Sequence, residues 1–578
     1  MPDKYINPQK GKYMNSSIKT SLYKCIIFFL LLVCSIKILL IGYDIDEQYA
    51  ISMSYRLLQG DFPLMDMWEP HQTSAYLITL LMIPYIALTN SLTGIVLYLR
   101  FCGLIIHSII SFVLYKHLKK LLNQFTPVSG NAYDYALLLT CIYFFSLPKL
   151  MFLPEFSNMQ LWFLLLSILH LLNYYNNHTL HHLVFAGIFM TLEVLTYPST
   201  IIAFFVVILY IFYYHKEQNL LKELIAFTLP SLLGVSLFLG CLLSRMSLSQ
   251  LINHIQIISQ DGSHSVSILS TLRNNLLSVG EILLFLLLYG IIAAFIYALL
   301  RKKYRLETDS LYLYHLLFIG TTLVGQLLIW LFGTRYPNYP SIEYFLLPLL
   351  GTFFVHKKKE KSSLLFSLFF VVPCSGFLGI IIFTNHPLMV SAPFLSLCVI
   401  GVLCIYCKHA ATHKTCNSGL RCLLLLWVII LIFGKSYLIR TSDGKHYTLF
   451  HDVSLIRRGP AIGIIADTDT VKQYNDCFLL AENYLPEDAK LLYAGRSSGI
   501  YLLKNFAFCI PSTISTPTYD EKTLQYFNTH PDKLPDYIVC DRNLKDVYTD
   551  SWLKRYINSL CSAEPIQTYF YYVYTVDK

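Results

Sequence analysis

With 578 residues, 55% hydrophobic side chains, only 14% charged ones and a mean hydropathy of +0.52, the chain is too apolar for a soluble globule, in which about a quarter of residues are charged. The net charge of +9 and pI near 8.7 do not describe a nucleic-acid groove, because Lys and Arg fall in short clusters between apolar runs. That is the positive-inside pattern of a multi-pass membrane protein; its partners include membrane lipids and no nucleic acid.

A basic cytosolic tail, residues 1–21, precedes an apolar run from Leu22 to Ile41. The run is long enough to span about 30 Å of hydrocarbon, and no small-residue cleavage site follows, so a retained helix is expected. An acidic loop comes next, residues 43–76, carrying Asp46, Glu47, Asp61, Asp66 and Glu69 against Arg56 and His71. Asp44 or Asp46 can cap a helix whose apolar residues Tyr49, Ala50, Met53, Leu57 and Leu58 recur at helical spacing, with Gly60 to end it. The spacing predicts an amphipathic helix in the plane of the membrane interface, with Ser52, Arg56 and Gln59 on its polar side.

Basic clusters order the rest. Of Ala75 to Thr89 and Thr93 to Tyr115, only one can cross if KHLKK is cytosolic, and Thr93 to Tyr115 is the expected span. Further spans are expected at Tyr133 to Leu147, Asn158 to Leu172, Leu183 to Leu195, Ser199 to Tyr214, Leu224 to Leu243, Ile282 to Leu300, Leu311 to Phe332, Phe345 to Val355, Leu364 to Phe383, Leu388 to Tyr406 and Leu423 to Leu438. A polar outer loop, Ser244 to Asn275, separates two of them. This gives about thirteen transmembrane helices over residues 22–439, with the N-terminus cytosolic and the acidic loop and the C-terminus on the opposite, periplasmic or extracellular face.

From residue 440 the chain turns polar, and residues 440–578 read as a small α/β domain. Strands are expected at Ala461 to Ala466, Lys490 to Ala494, Tyr537 to Asp541 and Thr568 to Val576, and helices at Val471 to Tyr484 and Trp552 to Leu560. AGRSSG, residues 494–499, follows a strand but lacks the glycine spacing of a nucleotide loop. Cys477, Cys509, Cys540 and Cys561 lie in this domain, and their spacing leaves open whether any pair. Cys404, Cys407, His409, His413 and Cys416 have spacing that suits zinc, but at a cytosolic helix end, away from the acidic loop.

The acidic loop has a recognisable order: Asp46, Glu47 and Tyr49, then RLLQG, then Pro63 and Asp66, then Glu69, Pro70 and His71 before an apolar helix. It resembles the GT-C glycosyltransferases, in particular bacterial relatives of the dolichyl-phosphate-mannose protein mannosyltransferases and of the aminoarabinose transferase of lipid A. The resemblance covers about 440 residues. It implies a polyprenyl-phosphate sugar donor, a lipid, glycan or protein acceptor, a role in the cell envelope of a bacterial inner membrane, and an acid of this loop as catalytic base. By the same resemblance Glu155 in LPKLMFLPEFSN matches a second acid and TYPS, Thr196 to Ser199, a turn between crossings. The aminoarabinose branch has Lys and Pro after the acid matching Glu69, where this chain has Pro70 and His71, and Glu343 stands where relatives often have His. Arg335 is then the expected ligand of the donor phosphate, with Lys149, Arg245 and His71 behind it.

Such a donor loses a phosphate monoester, so a site must neutralise growing negative charge and remove a proton from the acceptor. Asp46, Glu47 and Glu155 suit the acceptor side or a bridging divalent cation such as Mg or Mn, and Asp66 and Glu69 shape the return of the loop beside the substrate. Tyr336 and Tyr339 serve as interfacial anchors or as platforms for a sugar ring. Asp46 can equally be a plain helix cap and Glu155 a solvated acid. A transporter or flippase of lipid-linked substrates, or a non-catalytic assembly protein, is the alternative; a transporter usually carries internal repeats and midplane charges, and no clear repeat is visible.

Overall fold

The computed structural model describes residues 8–69, 71–125, 131–214, 219–259, 268–304, 310–332, 343–358, 367–384, 388, 394–410, 414–440, 446–514, 520–542 and 552–577. The chain is a polytopic α-helical membrane protein with a small C-terminal α/β domain. Its helices are α1 (Pro8–Leu40), α2 (Ile45–Leu58), α3 (Tyr76–Thr89), α4 (Ile95–Phe125), α5 (Asn131–Phe145), α6 (Phe156–Asn177), α7 (Leu180–Thr196), α8 (Ile201–Tyr214), α9 (Leu220–Leu243), α10 (Leu248–Ser259), α11 (Ile268–Tyr304), α12 (Ser310–Phe332), α13 (Glu343–Lys358), α14 (Val372–Phe383), α15 (Leu395–Ala410) and α16 (Lys414–Tyr437). Six of these are long and apolar enough to cross a membrane. Each of the thirteen expected spans falls on a helix of the bundle, among the described residues: α1, α4 to α9 and α11 to α16.

Leucine, isoleucine and phenylalanine stand exposed along α9 and α11, for example Leu232, Leu237, Leu284, Leu287 and Phe295. A surface that apolar fits hydrocarbon, not water. Inside, α6 packs on α7, α7 on α9, and α15 on α13. Close approach is set by glycine in α7, where a Cβ on Gly187 would lie 2.1 Å from the carbonyl oxygen of Phe227.

Two helices depart from simple crossing. The N-terminal end of α3 is tied to α2, since Thr79 donates to Ser54 O at 3.2 Å. Just past its C-terminal end, Gly94 and Val96 donate to Gly459 O and Pro460 O of the C-terminal domain. The α3 region is thus held by α2 at one end and by the C-terminal domain just beyond the other, while α4 is long and apolar enough to cross a membrane. The loop expected at Ser244 to Asn275 is in large part helical: α10 occupies its start, and α11 begins at Ile268, well before the expected span.

After α16 come β1 (Leu438–Arg440) with β2 (His446–Thr448) and β3 (Val453–Leu455) with β4 (Ile465–Asp467), two antiparallel ribbons. The strand expected from Ala461 starts only at Ile465, because Gly463, at φ +87°, turns the chain. Then follow α17 (Thr468–Tyr484), β5 (Lys490–Ala494), β6 (Ala507–Phe508), α18 (Asp520–Thr529), β7 (Tyr537–Asp541), α19 (Trp552–Leu560), β8 (Ile566–Gln567) and β9 (Tyr571–Thr575). Five strands form one sheet in the order β6-β5-β7-β9-β8, parallel across β6-β5-β7 and antiparallel beyond. Cys477, Cys509 and Cys540 are buried there and, with Cys561, carry free thiols.

The domain is not separate from the bundle. Trp68 of the acidic loop is fully buried in its core beside Tyr526 and Leu491, and α10 contributes Ile257 and Ile258. A second core joins α2 and α4 to Ile456, Ala461 and Ile464.

Candidate active site

Asp44, in extended conformation, caps α2 by accepting from the Asp46 amide at 2.8 Å. The neighbouring acids then diverge, because successive side chains on a helix point about 100° apart. Glu47 turns inward and forms a two-pronged pair with Arg100 of α4, Nε to Oε1 and Nη2 to Oε2 both at 2.6 Å. Arg100 also donates to Leu39 O at 2.9 Å and Gly42 O at 2.6 Å, carbonyls that the end of α1 leaves open. Both side chains are buried, so Glu47 is spent in joining three helices.

Asp46 turns outward and keeps 31% of its side chain exposed. Its Oδ2 receives two cations, Lys149 Nζ and Arg440 Nη2, each at 3.0 Å. Arg440 also pairs with Asp44. Lys149 pairs in addition with Glu155 Oε2 at 3.1 Å. Glu155, buried, is the N-cap of α6, accepting from the amides of Ser157 at 2.9 Å and Asn158 at 3.0 Å.

The loop that delivers Lys149 and Glu155 rests on Gly103 of α4, where a Cβ would fall 1.5 Å from Phe152 O. Lys149 also lies 4.3 Å from the centre of the Phe156 ring. His71 stacks on Phe156 at 4.2 Å and on Tyr197 at 5.0 Å. Tyr197 belongs to the TYPS turn, which Thr200 pins by donating to Glu193 Oε2 at 2.9 Å. Three acids, two cations and an aromatic stack thus meet where α2 and α6 begin and β1 ends.

The rest of the acidic loop is spent on the C-terminal domain. Arg56, expected on a solvent-facing polar side, is fully buried, because that domain covers α2 where an interfacial helix would meet water. It donates to Asp61 Oδ2 at 2.5 Å and to Tyr526 at 3.2 Å, and lies 3.5 Å from Glu69 Oε1. Burial opposes the Arg56 charge, yet Tyr526, Asp61 and Glu69 outweigh it and raise its pKa further. Glu69 accepts from the Thr513 amide at 3.1 Å and its hydroxyl at 3.0 Å. Burial nonetheless pushes its carboxyl above the usual range, against the pull of Arg56, Thr513 and Tyr49. Asp66 accepts from the Phe62 amide at 2.8 Å. The AGRSSG segment is a docking surface for α2: Ser52 donates to Ser498 O at 2.8 Å, and Gly499 donates to Gln48 Oε1 at 3.3 Å.

Of the expected site residues, Asp46, Glu155, Lys149 and, through Phe156, His71 come together. Glu47, Glu69 and Asp66 are held in other contacts, and Arg245 lies exposed over the Phe62 ring at 4.4 Å. Arg335, Tyr336 and Tyr339 fall outside the described residues, as do Pro70 and His413. Cys404 and Cys407 are buried in α15. Arg440 and Arg100 were not singled out in the sequence. Arg100 carried a signal, a charge inside an apolar run, which membrane proteins rarely keep without use; Arg440 lies two residues beyond the last expected span.

No family model matches the chain, and no curated protein matches it. Among solved structures it is similar to ArnT from Cupriavidus metallidurans in the apo state, with 10% sequence identity, a TM-score of 0.42, and 96% of this chain and 98% of that chain covered.

Proposed function

We propose that this chain is a membrane glycosyltransferase of the GT-C type, which transfers a sugar from a polyprenyl-phosphate carrier to a lipid, glycan or protein acceptor on the face that bears the C-terminal domain. The observation that carries this reading is Asp46: a part-exposed carboxylate in the loop with the GT-C-like pattern, held on one oxygen by Lys149 and Arg440. In a bacterial cell that face is the outer side of the inner membrane.

Asp46 takes the proton of the acceptor hydroxyl while that oxygen attacks the anomeric carbon. The bond from that carbon to the phosphate oxygen breaks, and the polyprenyl phosphate leaves with the electron pair. A single displacement inverts the anomeric centre. Lys149 and Arg440 neutralise the charge gathering on the phosphate, moving from Asp46 as they do so. This leaves the carboxylate with less cationic company at the moment it must accept a proton. Glu155 and Asp44 stay paired with the two cations and keep them at the site as they shift, and His71, Phe156 and Tyr197 wall it. Arg335 remains a further candidate for the phosphate.

A divalent cation finds its position between Asp46 and Glu155 taken, because Lys149 Nζ bridges them at 3.0 and 3.1 Å. The donor set fits an ammonium, and no step is assigned to a metal.

The test of the phosphate role is binding of undecaprenyl phosphate to purified protein. Lys149→Met is expected to weaken it about 10- to 100-fold, the worth of one charge-assisted hydrogen bond. Unchanged affinity in Lys149→Met and also in Arg440→Gln would remove both residues from the phosphate site.

A further inference from the structure

A cavity of about 650 Å³ opens between the far end of α2, one face of α3 and the edge of the C-terminal sheet. Tyr55 and Gln59 lie nine and thirteen residues beyond Asp46 on or just past α2, so the cavity is about 14–20 Å from that carboxylate. Its volume is that of a small-molecule site.

One wall is apolar and the other polar. Ile83, Ile86 and Ala87 of α3 form the first with Leu58. Ile83 and Ala87 continue into Leu80 at helical spacing, and Leu80 and Ile83 are 60% and 48% exposed, so the wall runs out onto the bilayer-facing surface. Across from it, Tyr55 hydroxyl and Gln59 Nε2 both donate to Asn505 Oδ1 at 3.1 Å, and Asn505 Nδ2 donates to Asp488 at 2.5 Å. Asp61 is closed by Lys533 at 2.5 Å. Two carboxylates face one cation that is already paired, which disfavours an anionic headgroup. A row of amide, phenol and carboxylate groups offering donors and acceptors side by side suits hydroxyls.

We infer that this groove binds a glycolipid of the leaflet beside the C-terminal domain, its uncharged, hydroxyl-rich head against Gln59, Asn505 and Asp488 and its tail along Leu80, Ile83 and Ala87. The inference does not depend on the transferase reading, since none of these groups touches the Asp46 cluster.

The test places full-length protein in nanodiscs containing, at equal mole fraction, either diglucosyl diacylglycerol or phosphatidylcholine with a photoreactive group in the acyl chain. Labelling of the 76–89 segment is expected to be at least fivefold higher with the glycolipid. Asp488→Leu and Asn505→Leu are expected to erase that preference while leaving phosphatidylcholine labelling unchanged, and Ala87→Trp to lower labelling by both lipids. Equal labelling by the two lipids in the unmodified protein, or a preference that survives both leucine substitutions, would overturn the assignment. Asp488→Asn, which keeps the shape and an acceptor, is expected to retain the preference, so a loss caused by misfolding is told apart from loss of head recognition.

Discussion

At the scale of single residues, the acids that stand next to each other in sequence do different work. Asp46 and Glu47 are adjacent, and composition cannot rank them; the helix sends one to Arg100 and leaves the other 31% exposed. Removing the charge of Glu47 strands a buried guanidinium, so Glu47→Gln is expected to cost about 3–5 kcal/mol of stability, read as a lowered midpoint in thermal unfolding. Glu69 gives a pH signature. Burial raises its carboxyl above the usual range, so the folded chain binds that proton more tightly than the unfolded one. Its contribution to stability is therefore greatest at acid pH and falls as pH rises from the ordinary carboxylate value through the raised one. Melting curves between about pH 4 and pH 7 are expected to show this slope in the unmodified chain and to lose it in Glu69→Gln, since an amide does not titrate in that range.

At the scale of elements, the regular ones were legible because their periodicity is local. Lys490 to Ala494 and Tyr537 to Asp541 are strands, and Trp552 to Leu560 a helix, within the expected bounds. The helical start of the acidic loop was also legible, but its surroundings were not. A polar face that meets water and one that meets another domain have the same spacing, so the burial of Ser52 and Arg56 could not be read. The loop of Lys149 and Glu155 depends on a contact equally invisible in sequence, Gly103 against Phe152 O. A methyl there must push the loop away, so Gly103→Ala is expected to destabilise by about 1–3 kcal/mol, as overpacked sites do, and to impair activity as well. A Gly103→Ala variant with unchanged melting and activity would show that the close approach positions nothing.

At the scale of the molecule, the change of composition near residue 440 marks a domain in sequence but not in packing. Trp68 sits in the core of the C-terminal unit, and Arg56 and Glu69 are satisfied there. Trp68→Ala is expected to cost about 3–5 kcal/mol and to lower melting of the whole chain in one transition; loss confined to a separate domain transition would contradict the shared core. The same interlock brings Arg440 from the far end of the bundle to Asp46 near its start, a pairing across 394 residues that no local pattern encodes. Transfer of labelled sugar from a polyprenyl-phosphate donor by purified, reconstituted protein tests the central assignment most directly. Asp46→Asn is expected to lower the rate by about 10²- to 10⁴-fold, the usual worth of a general base, with the fold retained, since Glu155 and Asp44 still pair the two cations. Transfer by Asp46→Asn at the unmodified rate, or no transfer by the unmodified protein from any polyprenyl-phosphate sugar, would contradict it.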